Sequence, residues 1–207
     1  MKIDSIIFDL DGTLWDSSLG VLDSWNKTLD KYDEVINRLT IDDIRGVMGL
    51  VGNDAANKLF PYLDEEKRVE IVNECCKDEC GYLGSHGGIL YEKLEEVLWC
   101  LEKKYKLLIV SNCQCNYIEA FFKYHKLEKY FVDYENHEKT GLTKGENIKL
   151  IMNRNNLDYS IYVGDTEGDL KASRYAGIPF IYAKYGFGEV KDYDYVINSF
   201  DEILKVV

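Results

Sequence analysis

The chain has 207 residues, and its 37 acidic side chains outnumber the 25 basic ones, which gives a formal charge of −12. This excess of carboxylates repels polyanions, so we expect neither a nucleic-acid partner nor an acidic membrane surface as a partner. Hydrophobic residues make up 46% of the chain and charged residues 30%, a composition that excludes a disordered tail and predicts a globular protein with its own core.

Five short apolar runs, each followed by a polar or glycine-containing break, predict β-strands. They cover residues 5–10, 106–110, 160–163, 179–183 and 195–197. Helical patterns lie between them, at residues 92–104, 117–124, 144–155, 168–176 and 200–206. The alternation of strands and helices predicts parallel β-α-β units, and therefore an α/β protein built on a parallel sheet.

Residues 17–82 interrupt this alternation, because the segment shows helical stripes and no convincing strand. Thr40, with Asp43 three residues later, predicts the start of one helix. Another helix is predicted over residues 64–80, with Gly81 as its end. Its apolar side is expected to carry Val69, Val72, Cys76 and Cys80.

Two carboxylates, Asp9 and Asp11, are separated by one residue where the first predicted strand ends, and Gly12 follows them. Alternate side chains of an extended chain share a face, and glycine allows the backbone to turn tightly. Both carboxylates can therefore approach one ligand at the carboxyl edge of the sheet, where open α/β sheets bind their ligands.

Three further polar motifs follow a predicted strand or open a predicted helix. Ser111 lies in IVSNC, Lys144 in GLTKGE, and Asp165 and Asp169 in VGDTEGD. Loops from the carboxyl ends of neighbouring parallel strands converge on one crevice. We therefore expect all four motifs to form a single site, although up to 160 residues separate them.

The DxDGT sequence and these three motifs resemble the signature of the haloacid dehalogenase-like superfamily of phosphohydrolases, in the same order along the chain. The resemblance covers nearly the whole chain and implies the phosphoglycolate-phosphatase-like branch. It implies a Rossmann-like parallel-sheet core, residues 1–16 and 83–207, with an all-helical cap domain, residues 17–82, inserted after the first strand. It further implies hydrolysis of a small soluble phosphate monoester through an aspartyl-phosphate intermediate.

A carboxylate that attacks phosphate needs its charge repulsion offset, and hard oxygen ligands favour Mg²⁺ for that purpose. The resemblance implies that Asp9 is the nucleophile and Asp11 the general acid and base. It also implies that Mg²⁺ binds the side chains of Asp9 and Asp165 and the backbone carbonyl of Asp11. Asp169 would contribute directly or through water.

The phosphoryl group is expected to be held by a second set of residues. Lys144 would supply a fixed positive charge, and the hydroxyl of Ser111 would donate a hydrogen bond. Backbone N–H groups of Asn112 and Gly12 would complete the set, with Thr13 in support.

The glycine-rich residues 46–53 separate two predicted helices and are the best candidate for a substrate-facing loop. Arg45 and Gly49 are the candidate specificity residues there. The same pattern is equally typical of a flexible turn next to a surface charge.

Other functions share parts of this pattern. A β-phosphoglucomutase-like phosphohexose mutase has all four motifs and a similar Gly-Val pair after Arg45, but the basic residue that follows in those enzymes is replaced here by residues 48–50, Met-Gly-Leu. A phosphonate hydrolase would need a cap lysine, for which Lys27 and Lys58 are candidates. A non-catalytic phosphometabolite-binding regulator of the same fold is the third alternative, which the intact acidic motifs disfavour.

Six cysteines without a recognisable export signal predict a reducing compartment, so we expect a cytoplasmic protein with free thiols. The expected partner is a small phosphorylated metabolite, and the oligomeric state is left open.

Overall fold

The computed structural model describes residues 3–207, which form eight strands and ten α-helices. The strands are β1 (Ser5–Phe8), β2 (Trp15–Asp16), β3 (Ile89–Leu90), β4 (Lys106–Ser111), β5 (Asp133–Asn136), β6 (Ser160–Gly164), β7 (Phe180–Ala183) and β8 (Tyr195–Ile197). The helices are α1 (Ser18–Leu29), α2 (Ile41–Val47), α3 (Gly52–Leu59), α4 (Glu65–His86), α5 (Leu94–Leu101), α6 (Tyr117–His125), α7 (His137–Thr140), α8 (Lys144–Arg154), α9 (Glu167–Ala176) and α10 (Ile203–Val206).

Six of the strands form one parallel sheet in the order β5-β4-β1-β6-β7-β8. The apolar strand β1 lies inside it and is buried along its whole length, with Phe8 opposite Ile109 of β4 and Val163 of β6. Side chains on its two faces enter two separate clusters of buried residues, so both faces of the sheet are covered. The predicted α/β fold with a Rossmann-like parallel-sheet core is confirmed.

All five predicted strands are present, and the prediction missed the two-residue strands β2 and β3 and also β5, one of the two edge strands of the sheet. The sequence of β5, DYEN, is polar and carries no apolar run. Two of its acidic side chains, Asp133 and Glu135, form ion pairs with Arg154 of α8. An edge strand whose charges are paired in this way does not show the apolar pattern on which the prediction relied.

The helices α1 to α4, here called the cap helices, follow β1 and the short strand β2. Strand β2 pairs with β3 in an antiparallel ribbon, so the chain leaves and re-enters the sheet at one junction. The capping box of Thr40 and Asp43 is present at the start of α2, as predicted. Among residues 3–207, no helix combines the length and the apolar character that crossing a bilayer requires.

The prediction that Gly81 ends the last cap helix is wrong. Helix α4 continues to His86 and ends at Gly87, whose φ of +72° lies in the left-handed region. Gly81 is exposed, and a Cβ at that position would meet no atom within 4 Å, so the glycine is simply accommodated inside the helix. The predicted boundary at residue 83 therefore falls within α4.

Candidate active site

The four polar motifs meet at the carboxyl edge of the sheet. Asp9 follows β1, Ser111 ends β4, and Asp165 follows β6, while Lys144 opens α8. The Nζ of the buried Lys144 lies 2.9 Å from Oδ1 of Asp9, although 135 residues separate the two in sequence. The structure thus brings together the residues that the sequence predicted to form one site.

The ammonium group of Lys144 is shared between two carboxylates. Its Nζ also lies 2.6 Å from Oδ1 of Asp169. Burial acts to lower the pKa of Lys144, but the carboxylates of Asp169 and Asp9 outweigh it and raise this pKa. Lys144 is therefore charged over the whole physiological range and supplies a fixed cation at the edge of the sheet.

Three carboxylates crowd around this single cation. Oxygen atoms of Asp9, Asp165 and Asp169 lie within 4.8 Å of one another, and all three residues are buried. Burial raises the pKa of Asp165, and the neighbouring charges of Asp169 and Asp9 raise it further. With all three carboxylates ionised, the cluster would carry more negative charge than Lys144 balances, which is the electrostatic setting of a divalent cation site.

Asp165 offers an oxygen for such a cation. Its Oδ2 accepts a hydrogen bond of 2.7 Å from the backbone N–H of Phe187. Its buried Oδ1 has no hydrogen-bond partner among residues 3–207. A hard cation with oxygen ligands, such as Mg²⁺, would satisfy this atom, so the residues present fit the predicted metal.

Asp169 already serves a structural purpose. Its Oδ2 accepts hydrogen bonds from the hydroxyl (2.7 Å) and the backbone N–H (2.9 Å) of Thr166, which caps α9. Its Oδ1 holds Lys144. Asp169 therefore fixes both the start of α9 and the ammonium group, while its predicted contact with a metal stays a prediction.

The glycine of the first motif is required by close packing. Gly12 has a φ of +75°, and a Cβ there would lie 2.2 Å from Oδ2 of Asp165. No other residue allows the first motif to pass so near to the fourth. Beside it, Thr13 is buried and its Oγ1 has no hydrogen-bond partner in the described part of the chain.

Three side chains hold Asp11 in place, and none of them was predicted to do so. Its Oδ1 accepts hydrogen bonds from Trp15 Nε1 (2.9 Å), Ser17 Oγ (2.6 Å) and Tyr117 Oη (3.0 Å). Burial raises the pKa of Asp11, and these three donors act in the opposite direction. The sequence holds a partial signal in Trp15 and Ser17, but no local pattern points to Tyr117, 106 residues away.

A cavity of about 720 Å³, here called the cap–core cavity, lies between the cap helices and the sheet edge. Asp9, Asp11 and Ser111 line it from the core, and Gly49 lines it from the loop between α2 and α3. The side-chain amide of Asn112 donates a hydrogen bond of 2.9 Å to the carbonyl of Gly49. The loop predicted to face the substrate therefore does contact the second motif.

Arg45 lies at the junction of cap and core, away from the described lining of the cavity. Its guanidinium forms an ion pair of 3.1 Å with Asp16 and stands 5.9 Å from the ring centre of Phe187. The predicted contact of Arg45 with substrate stays a prediction.

Comparison with known proteins identifies the fold and the family. The profile of the haloacid dehalogenase-like hydrolases matches residues 6–183. The chain belongs to this family. The family and the hydrolase class predicted from the four motifs are confirmed.

Individual proteins match this chain over nearly their whole length. A phosphoglycolate phosphatase from Photobacterium profundum is 25% identical over 98% of this chain and 94% of its own length. The pyrophosphatase PpaX from Bacillus mycoides is 24% identical over 100% of this chain and 98% of its own length. A solved haloacid dehalogenase-like hydrolase from Streptococcus pneumoniae shares the fold, with a TM-score of 0.82 at 23% identity over 99% of this chain and 98% of that one.

Proposed function

We propose that this hydrolase is a Mg²⁺-dependent phosphatase that cleaves a small soluble phosphate monoester, with Asp9 as the nucleophile. The observation that carries the proposal is the buried cluster in which the ammonium group of Lys144 pairs with Asp9 and Asp169, while an oxygen of Asp165 lies within 4.8 Å of both carboxylates. The names of the relatives, which include phosphoglycolate phosphatases, support the same reaction class.

Asp9 and Asp165 would hold the Mg²⁺ through their side chains and Asp11 through its backbone carbonyl, with Asp169 contributing directly or through water. The bound ion would reduce the repulsion between the substrate phosphate and the surrounding carboxylates. Lys144 would also offset this repulsion, because its Nζ lies 2.9 Å from Oδ1 of Asp9.

Asp9 attacks phosphorus with a carboxylate oxygen, the bond from phosphorus to the ester oxygen breaks, and an aspartyl phosphate forms. Asp11 donates its proton to the departing ester oxygen, which leaves as an alcohol. Asp11 then removes a proton from water, the water oxygen attacks phosphorus, and the bond to Asp9 breaks to release inorganic phosphate. Because all three hydrogen bonds to Asp11 fall on Oδ1, Oδ2 is the oxygen that exchanges the proton.

Ser111 and the backbone N–H groups of Gly12 and Asn112 would grip the phosphoryl oxygens, with Thr13 in support. The position of Ser111 supports this role, since it ends β4 and lines the cap–core cavity together with Asp9. The Oγ1 of Thr13, which has no hydrogen-bond partner among residues 3–207, would be a further donor next to Gly12.

The cap–core cavity favours an organic ester over inorganic pyrophosphate. Its volume of about 720 Å³ suits a leaving group of several carbon atoms, and apolar side chains such as Val21, Ile44 and Val72 line it. The cationic side chains needed to bind a second phosphate are few, since Lys77 and His137 are the basic residues of the described lining. We therefore propose a phosphoglycolate phosphatase-like reaction on a small phosphorylated metabolite, in the cytoplasmic setting that six free cysteines support.

Release of inorganic phosphate from a panel of small phosphate esters tests this proposal. We expect turnover with Mg²⁺, none with a chelator, and none in Asp9→Asn, whose thermal unfolding should remain cooperative. Ligand binding without turnover under any divalent metal would instead support a non-catalytic regulator. Conversion of β-glucose 1-phosphate to the 6-phosphate with a bisphosphate primer, without net phosphate release, would support a phosphohexose mutase.

A further inference from the structure

The cap–core cavity contains a carboxylate for which the phosphatase mechanism has no use. Glu79 lies on α4, is 4% exposed, and lines the same cavity as Asp9 and Asp11. No ion pair joins it to a cation among residues 3–207, and the groups that act on it are the neutral side chains of Trp25 and Gln114 and the carboxyl group of Asp11. A buried charge without a partner is costly, so such a group calls for an explanation.

The existing partners of Glu79 are both neutral. Trp25 donates a hydrogen bond from Nε1 to Oε2, and Gln114 donates one from Nε2 to Oε1. An ionised carboxylate has about four lone-pair sites, so these two bonds leave capacity for further donors. A glutamine at this position could bond to the same partners without a buried charge, since the amide of Gln114 can present either its oxygen or its NH₂. The hydrogen bond by which Glu79 of α4 joins the cap helices to Gln114 of the core therefore does not by itself require an acidic side chain.

Burial is the reason that this carboxylate is unstable in its charged form. It raises the pKa of Glu79 to about 8, and the two neutral donors only partly oppose this. A cationic ligand in the cavity would restore the charged form and supply the missing counter-charge.

The surroundings of Glu79 suit an ammonium group. The rings of Trp25 and Tyr117 line the cavity with it, and aromatic faces attract organic cations. Besides Asp9 and Asp11, Glu138 adds another carboxylate to the lining. The basic lining residues are the exposed Lys77 and the partly exposed His137, whose Nδ1 is already bonded to the carbonyl of Leu142.

We propose that the leaving group of the substrate carries an ammonium group and that Glu79 is the residue that binds it. The substrate class is then the phosphate monoesters of amino alcohols, including amino sugars. This inference rests on the proposed phosphatase function and adds the identity of the leaving group to it. It also predicts that a carboxylate-bearing ester such as phosphoglycolate is a poor substrate, because its second charge would face Glu79.

Three series of alkyl phosphates test the inference with the wild-type protein. The series end in an amino, a hydroxyl or a carboxyl group and are compared at equal chain lengths of about two to five carbon atoms, which the volume of the cavity accommodates. We expect kcat/KM for the best aminoalkyl phosphate to exceed that of its hydroxyl counterpart about 10- to 100-fold, the range that a hydrogen bond to a charged group provides. An equal or greater kcat/KM for the hydroxyl or carboxyl series at every length would overturn the inference.

Glu79→Gln tests whether Glu79 is the residue that binds the ammonium group. We expect it to remove most of the preference for the amino series, whereas Glu74→Gln should retain it, because Glu74 lies on the same helix but is bonded to Lys31 and Tyr32 outside the cavity. An amino preference that survives in a folded Glu79→Gln protein would overturn the assignment. A preference for the carboxyl series that Lys77→Gln abolishes would show instead that the cavity recognises an anion.

Calorimetric binding of the corresponding phosphonates separates this inference from the proposed function, because phosphonates bind without being hydrolysed. Failure of every ester to release phosphate would contradict the phosphatase proposal. Tighter binding of aminoalkyl than of carboxyalkyl phosphonates to the wild-type protein would still support recognition of an ammonium group, and the reverse order would exclude it. This measurement needs no variant, so it decides the question even if Glu79→Gln does not fold.

Discussion

The side-chain amide of Asn112 donates a hydrogen bond of 2.9 Å to the backbone carbonyl of Gly49, which ties the second core motif directly to the loop between α2 and α3. Gly49 has a φ of +80°, so a glycine is favoured at the point of contact. This hydrogen bond therefore links the loop to the same segment that is proposed to grip phosphate.

Asn112→Ala keeps the backbone N–H proposed to bind phosphate and removes only the bond to the loop. A single hydrogen bond is worth about 1 kcal/mol, so we expect KM to rise about fivefold with little change in kcat. Hydrogen exchange of residues 46–53 should become faster, whereas Asn37→Ala, at an exposed position outside the cavity lining, should leave that exchange unchanged. Unchanged exchange in Asn112→Ala would show that the bond does not hold the loop.

Binding of Mg²⁺ should stabilise the folded protein. A ligand that binds only the folded state at one hundred times its Kd adds about 2.7 kcal/mol to the free energy of unfolding, so Tm should rise with Mg²⁺ concentration. Asp165→Asn replaces one of the proposed ligands and should remove this rise, whereas Asp192→Asn, at a highly exposed position, should keep it. An equal rise of Tm with Mg²⁺ in Asp165→Asn would show that Asp165 is not a ligand of the ion.

The hydroxyl of Tyr117 should affect kcat most for substrates with poor leaving groups. Tyr117→Phe removes one of the three donors that orient Asp11, and we expect kcat on an alkyl phosphate to fall about tenfold. Hydrolysis of p-nitrophenyl phosphate, whose leaving group needs little help from an acid, should change much less. Equal losses on both substrates would mean that Tyr117 supports the fold rather than the proton transfer.

The stability of the protein should depend on pH through Glu79. Because burial raises its pKa from the ordinary 4.5 to about 8, the folded state binds this proton more tightly than the unfolded state does. The associated stability is present below about pH 4.5 and is lost as the pH rises towards 8. At about 1.4 kcal/mol per pKa unit, the loss amounts to about 3–5 kcal/mol.

Glu79→Gln does not titrate, so its free energy of unfolding relative to the wild type should increase from about pH 5 to about pH 9. Chemical denaturation without ligand at several pH values measures this difference. Glu74→Gln should not show the increase, because its bonds to Lys31 and Tyr32 lower rather than raise the pKa of Glu74. A pH-independent difference for Glu79→Gln would indicate that Glu79 has an ordinary pKa in the folded protein.

The arrangement of the sheet could be predicted from the sequence because buried parallel strands are continuous apolar runs, as in β1 and β4. The polar edge strand β5 lacks that signal. The buried side of α4 was predicted only in part: Val72 is buried as expected, and Cys76 and Cys80 are partly buried against the core, as the prediction required. The prediction missed the further buried side chains Ile71, Cys75, Glu79 and Leu83, whose burial depends on how the cap helices pack on one another.

The core of the site was predictable for a different reason. Charged residues at the ends of buried strands have few structural explanations, so Asp9 and Asp165 could be placed at one edge before any contact was known. The donors to Asp11 and the neutral partners of Glu79 could not, because Tyr117 and Gln114 reach them through tertiary packing over 106 and 35 residues of chain.

Trapping of the covalent intermediate tests the central claim most directly. Asp11→Asn should slow hydrolysis of the phosphoenzyme, so the protein is mixed with Mg²⁺ and substrate, quenched in acid, and treated with borohydride, which reduces an acyl phosphate to an alcohol. Mass spectrometry of the peptides should then show homoserine in place of Asp9 and at no other carboxylate. Turnover of the wild-type protein with residue 9 unmodified, or reduction at a different aspartate, would contradict the assignment of Asp9 as the nucleophile.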